Sequence, residues 1–345
     1  MSKNKKLSYI ANFVLVIALY GVLFYLISAG IFNRYLSGII TMVFINIILT
    51  VSLNLASGFL GQLVLGHAGF MSVGAYSAAL FSMYSGLPNA IALPIGLLLG
   101  GLVAAVFSVI IGIPALRLRG DYLAIITLGF GEIIRVLILA FDFTGGAKGL
   151  RGIPTFVERG KGNNDLVKFS YVFFLAVVTV YVIYSFIRSR HGRAVIAIRE
   201  DEIAAEASGI NTTYYKLLAF ILAAFFAGVA GGLYAHHIGV LAPAKFNFNY
   251  SVEILVMVVL GGMGSITGSV ISATVLTILP ELLREFSDYR MLAYSIILII
   301  VMLFRPTGLM GQYEISLRKF VEKIFDKRKS KKAEKPQNGE DGKEA

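Results

Sequence analysis

An acid and a base stand three residues apart in LGFGEIIRVLILAF, residues 128–141, a stretch otherwise apolar enough to sit in lipid. On a helix this spacing puts Glu132 and Arg135 on one face, close enough to neutralise each other. Charge inside a membrane span is costly, and ionisable residues there are functional candidates by default. Two roles fit the pair. As an ion pair it fixes the orientation of its helix. Opened briefly, it offers a carboxylate to an ammonium group and a guanidinium to a carboxylate, the two ends of a zwitterionic amino acid in passage.

A second polar group lies in SGFLGQLVLGHAG, residues 57–69, where Gln62 and His67 fall among four glycines. A helix broken there exposes backbone carbonyls and amides to a water-filled cavity, as discontinuous helices do in transporters. Close helix packing through Gly58, Gly61, Gly66 and Gly69 accounts for the same residues equally well.

The elements carrying these residues follow from composition. Of the 345 residues 57% are hydrophobic and 15% charged. Mean hydropathy is +0.77, a balance that excludes an ordinary soluble domain. No charge occurs from Leu7 to Asn33, nor from Tyr35 to Leu116, a run of 82 residues. At about 20 residues per crossing the longer run spans a bilayer several times. The alternating pattern of barrel strands is absent, so the fold class is all-α, a polytopic membrane protein. Lys3, Lys5 and Lys6 precede an apolar run too long for a cleavable signal core. It reads as an uncleaved first span, with cleavage near Ala29 as the alternative. There is no cysteine, hence neither a disulfide framework nor a thiolate metal site.

Basic charge concentrates at Lys3 to Lys6, at Arg117 and Arg119, from Arg188 to Lys216, and from Arg305 to Lys343. The positive-inside rule places these segments in the cytoplasm. Parity and length then give spans near 36–56, 70–86, 89–114, 122–141, 169–187, 216–237 and 291–304. The stretch from Glu253 to Pro280 is too long for one helix and contains GGMGSITG. It reads as two crossings or a re-entrant pair hinged near Gly261 to Gly268. About ten transmembrane segments with broken or re-entrant helices result, with both termini cytoplasmic. With Asp121 at the inner surface, a rise of about 1.5 Å per residue puts Glu132 about 16 Å and Arg135 about 21 Å deep.

Residues 1–311 thus form a transmembrane domain, and 312–345 a basic cytoplasmic tail that lies on anionic lipid and is disordered towards its end. After Gln312 the tail holds ten basic and seven acidic residues. No folded module accompanies this charge, which excludes nucleic acid as a partner.

Another cytoplasmic stretch is GRAVIAIREDEIAAEASGIN, residues 192–211, inside a connecting segment 188–215. Glu200, Asp201 and Glu202 suit the start of a short helix, and Gly209 suits its left-handed stop. Ile203, Ala207 and Ile210 recur at helical spacing and form a small apolar face that fits a groove on another protein. A plain connecting loop is the simpler reading of the same residues. No G-x-x-x-x-G-K-[ST] phosphate loop occurs, so no ATPase motif of that type is present. His236 and His237 are adjacent and point to different sides of a helix, and no metal-ligand spacing is found. Neither a Ser–His nor a paired-Asp arrangement supports an enzyme embedded in the membrane.

Five segments, GFLGQLVLGHAGFMSVGAY, RLRGDYLAIITLGFGEIIR, GRAVIAIREDEIAAEASGIN, VLGGMGSITGSVI and RPTGLMG, occur in that order between about residues 40 and 311. Together they resemble the LivM-type permease subunits of branched-chain amino acid ABC importers. The resemblance implies that 192–211 is a coupling helix docking on a separate ATPase subunit. Its candidate coupling residues are Arg193, Arg199, Glu200, Asp201, Glu202, Ile203, Ala207 and Gly209. It departs from the general importer pattern of Glu-Ala-Ala, three residues and Gly, because Glu202 is followed by Ile203 and precedes Gly209 by seven positions.

The partners implied are a LivH-like second permease, two ATPase subunits and an extracytoplasmic substrate-binding protein, in the lipid of a bacterial inner membrane. ATP would be used by the partner subunits, with no cofactor bound by this chain. Gln62, His67, Glu132 and Arg135 are the candidates for the substrate pathway. Two other functions fit the same residues: a related importer for urea or amides, and a secondary amino acid transporter with Glu132 as its proton carrier.

Overall fold

The apolar segments fold as helices throughout the residues described by the structure, a computed structural model covering 3–116, 118, 120–156, 164–284, 289–305 and 308–311. In chain order they are α1 (Lys3–Ser28), α2 (Arg34–Asn54), α3 (His67–Tyr84), α4 (Asn89–Ala115), α5 (Asp121–Ala140) and α6 (Asn164–Arg188). Two short helices follow, α7 (Arg190–Glu200) and α8 (Glu202–Ala207). The chain ends in α9 (Thr212–Ile238), α10 (Phe248–Gly261), α11 (Ile266–Leu282) and α12 (Arg290–Phe304). The expected tail, 312–345, lies outside the described residues, as do Arg117 and Arg119. Leu26–Glu314 forms one unit, and Met1–Tyr25 belongs to another.

Six helix starts among the described residues carry side-chain caps. Asn33, Ser189, Asp201, Asn211, Asn247 and Ser265 each accept a bond from a backbone N–H in the following turn, filling donors that a helix leaves open. Among the described residues five helices are long and apolar enough to cross a membrane: α2 with its extension to Phe59, α4, α5, α6 from Asp165, and α9. The apolar helices α10 and α11 are shorter.

The centre of the bundle is built on small residues. A Cβ added at Gly100 would stand 2.6 Å from the Gly74 carbonyl oxygen, and one at Gly232 2.7 Å from Leu97 Cδ2. One at Gly228 would meet Ala104 Cβ at 2.6 Å. Backbones of α3, α4 and α9 therefore approach closely, which replaces hydrophobic driving force by van der Waals contact where lipid is the solvent. Both ring nitrogens of His236 serve the same packing, Nδ1 with Gly232 O at 2.8 Å and Nε2 with Ser82 Oγ at 2.9 Å.

The segment expected as two crossings or a re-entrant pair is α10, a turn at 262–265, and α11. At 14 residues, α10 is about 21 Å long, short of the roughly 30 Å hydrocarbon layer. The Phe248 backbone N–H bonds Glu132 Oε1 at 3.1 Å, so α10 begins level with the middle of α5. The start of α3 is at a similar level, since a Cβ on Gly69 would come 2.9 Å from Gly131 Cα. Ala68 N–H donates to Ser251 Oγ at 3.1 Å and ties the two starts together. Both helices thus open inside the layer.

Candidate functional site

The segment expected to form one coupling helix is two helices, α7 and α8. Asp201 accepts from the backbone N–H of Ile203 at 2.9 Å and of Ala204 at 3.0 Å, capping α8. Glu200 is the last residue of α7, a correction to its expected place at the start of the same helix as Glu202. The stop lies where the sequence puts it: Gly209 has φ +83°, its N–H bonds Glu206 O at 2.9 Å and Ile210 N–H bonds Ala205 O at 3.1 Å. This pair of bonds is the two-bond closure favoured by glycine.

That closure divides the expected apolar face. Ile203 is 69% exposed and Ala207 is exposed, whereas Ile210 is half-buried against the core. Two residues remain outward for a partner. Arg193 is exposed on α7, its Nη1 3.4 Å from Arg188 O.

An ion pair that sequence reasoning missed holds α8 to α9. Glu202 Oε2 lies 2.6 Å from Lys216 Nζ, with the Lys216 side chain only 3% exposed. Glu202→Gln keeps an acceptor for the ammonium but removes the charge that balances it. The expected result is a loss of about 1–2 kcal/mol, read as a lower thermal midpoint in detergent and faster proteolysis within 200–210.

Arg199, in the last turn of α7, points to the bundle. A Cβ on Gly61 would stand 2.9 Å from Arg199 Cγ, and one on Gly264 2.9 Å from its Nη1. The turn containing Gly264 is also gripped by Asn54 of α2, whose Nδ2 donates to Ser265 O at 2.9 Å and to Ser269 Oγ at 2.8 Å. Gly264 N–H returns a bond to Asn54 Oδ1 at 2.9 Å. On its other side lies the segment after α12, with Leu309 N–H on Leu260 O at 2.7 Å and Met310 N–H on Gly261 O at 3.3 Å. Four of the five resembling segments therefore meet at one end of the bundle.

At mid-depth Glu132 Oε2 pairs with Arg135 Nε at 2.7 Å, leaving the Glu132 side chain 33% and the Arg135 side chain 26% exposed. The same carboxylate holds the first N–H of α10, where the helix dipole favours negative charge. Leu65, Gly69, Leu128, Gly131 and Ser251 join Glu132 around a small cleft there. Beside it α5 presents Ile125, Ile133 and Val136, each more than half exposed. Charge near the bilayer centre is costly in lipid, which pairing of Glu132 with Arg135 offsets and contact with protein or water would offset further.

His67 is buried with Nε2 3.0 Å from Ser52 Oγ, which makes it part of the packing between α2 and α3. Gln62 is half-buried in the extended link before α3, and neither residue lines the cleft at Glu132. Thr127, whose Oγ1 accepts from Leu65 N–H at 3.1 Å in the link before α3, and Asn54, which clamps the α10–α11 turn, are two residues that sequence reasoning missed. Their signal was an uncharged polar residue in an otherwise apolar run.

The family described as branched-chain amino acid transport system permease component matches residues 35–305. The chain belongs to that family. Proteins named high-affinity branched-chain amino acid transport system permease protein LivM, from Salmonella typhimurium and Escherichia coli, are 41% identical to it over 297 residues, 79% of this chain and 69% of theirs. LivH of Escherichia coli is 37% identical over 147 residues, 42% of this chain and 46% of its own length. As a member of this family the chain is a multi-pass permease component.

Proposed function

We propose that the chain is one permease subunit of an ABC importer that brings branched-chain amino acids into the cytoplasm. It works with a LivH-like second permease, two ATPase subunits and an extracytoplasmic binding protein, and ATP is hydrolysed on the partners. The exposed, half-charged face of α5 is where the second permease and the substrate path meet this chain, with Glu132 and Arg135 making passing contact. Closure of the ATPases presses on α7 and α8 and tilts the helices around α9, exchanging inward- and outward-facing states. Both termini, with the 312–345 tail, are cytoplasmic in this reading.

The observation that carries it is α8, a two-turn helix with Ile203 and Ala207 outward, anchored by Glu202 to buried Lys216. An outward apolar face on a rigidly held short helix suits a groove on a partner. The test is co-expression with the four partners and uptake of labelled leucine, isoleucine and valine into proteoliposomes. ATP-dependent uptake needing all partners is expected, and urea or amides competing better than leucine would favour the related importer. The chain alone, given a pH gradient, is expected to move no leucine. Uphill uptake under those conditions, abolished by Glu132→Gln, would establish a secondary transporter instead.

A further inference from the structure

We propose that Arg199 is a positioning residue that carries displacement of the coupling segment into the two glycine turns of the bundle, so that the link after α2 and the α10–α11 hairpin move as one. The proposal rests on the reading of α7 and α8 as the ATPase-coupling segment. Its own basis is the course of one side chain. The aliphatic stem lies over Gly61 and the guanidinium over Gly264, each so close that a Cβ on the glycine would intrude to 2.9 Å. A long side chain seated on two turns without intervening atoms transmits a push on its own helix to both. Close-packed contacts of this kind have discrete arrangements instead of yielding smoothly.

Each end of this contact is stiffly connected. Arg199 is separated from α8 only by Glu200 and the capping residue Asp201, whose two bonds to Ile203 and Ala204 fix the angle between α7 and α8. On the bundle side, Asn54 locks Gly264 and Ser265 to α2, and α10 leads from that turn straight to Glu132. The path thus runs from α8 through Arg199 to the start of α10 at mid-depth. Among the described residues no carboxylate pairs with Arg199. The planar guanidinium, with donors fixed in a fork, is left to act on the turn it covers. Arg199 therefore faces away from the surface offered to the ATPase, unlike Ile203 and Ala207.

The test uses the complete transporter in proteoliposomes with Arg199→Ala, Arg199→Met and Arg199→Lys. Wild-type assembly and ATP-dependent uptake are measured first, and their failure would remove the importer reading whatever Arg199 does. Given a working wild type, Arg199→Ala and Arg199→Met are expected to retain the ATPases on purification. Their uptake, and the stimulation of hydrolysis by loaded binding protein, should fall about tenfold. Met keeps the stem over Gly61, so an equal loss in both variants assigns the effect to the guanidinium, and Lys recovers part of it.

Gly264→Ala intrudes on the same guanidinium and also strains a backbone held at φ +87°, so the loss it causes is expected to be smaller in the Arg199→Ala background than in the wild type. Uptake and stimulation within about twofold of wild type in Arg199→Ala, or losses that simply add in the double variant, would overturn the proposal. Should Arg199→Ala fail to assemble, Arg199→Met decides by the same criterion. Failure of both to assemble would mark a structural residue and overturn it as well.

Discussion

A transporter carrying Gly209→Pro is expected to insert into the membrane normally and to take up substrate at about a hundredth of the normal rate or less. The residue sits at φ +83°, and proline is locked near −65°. The substitution also removes the N–H that closes on Glu206 O. The cost, about 3 kcal/mol or more, corresponds to about a hundredfold in a local equilibrium. It falls on the stop that turns Ile210 back onto the core and leaves Ile203 and Ala207 outside. None of the long helices depends on that stop, so insertion is spared. Uptake measured beside detergent gel filtration separates the two effects, and Gly209→Asn, which tolerates the left-handed conformation, should keep most activity. Normal uptake by a stably inserted proline variant would contradict a coupling role for α8.

The second large effect is expected for Asn54→Leu. The side chain is fully buried and makes three bonds to the α10–α11 turn and the first turns of α11. Leucine has similar bulk and no polar atoms, so the half-buried Gly264 N–H loses its acceptor. Leaving such a group unpaired costs about 1–3 kcal/mol, and that is the loss expected here, because Ser265 O and Ser269 Oγ remain bonded to each other. The expected outcome is a marked fall in thermal midpoint, new protease cleavage near 262–265, and loss of transport. Gly58→Ala attacks the same point from the other side, because its Cβ would collide with Asn54 Oδ1 and Gly264 N. An Asn54→Leu protein as stable and active as the original would mean that the turn holds without its clamp.

Much of this architecture is legible in the sequence because its strongest signals are local. The uncharged runs, the glycine breaks and the left-handed stop at Gly209 are all encoded within a few residues, and helices lie within a few positions of the expected spans. The Glu132–Arg135 pair follows from spacing alone. What the sequence conceals is non-local. Asn54 meets Ser265 across 211 positions, and nothing in SLNLASG announces that partner. The split of the coupling segment at Asp201 was missed because three consecutive acids all suit a helix start, and only backbone geometry assigns one of them to the cap. Arg199 is expected among the coupling residues and Ile210 on the apolar docking face, yet both turn inward, since a short helix lying on a bundle has one side that is not free.

The contact between the 262–265 turn and residues 308–311 has a further consequence. Gly262 and Gly308 are 46 positions apart, and a Cβ on Gly308 would stand 2.6 Å from the nitrogen of Gly262. With main chain against main chain there is no side chain to absorb a misfit. Genetically the two stretches behave as a single locus: a compensating change for damage at one should map to the other, and surveys that score them separately would count the same lesion twice.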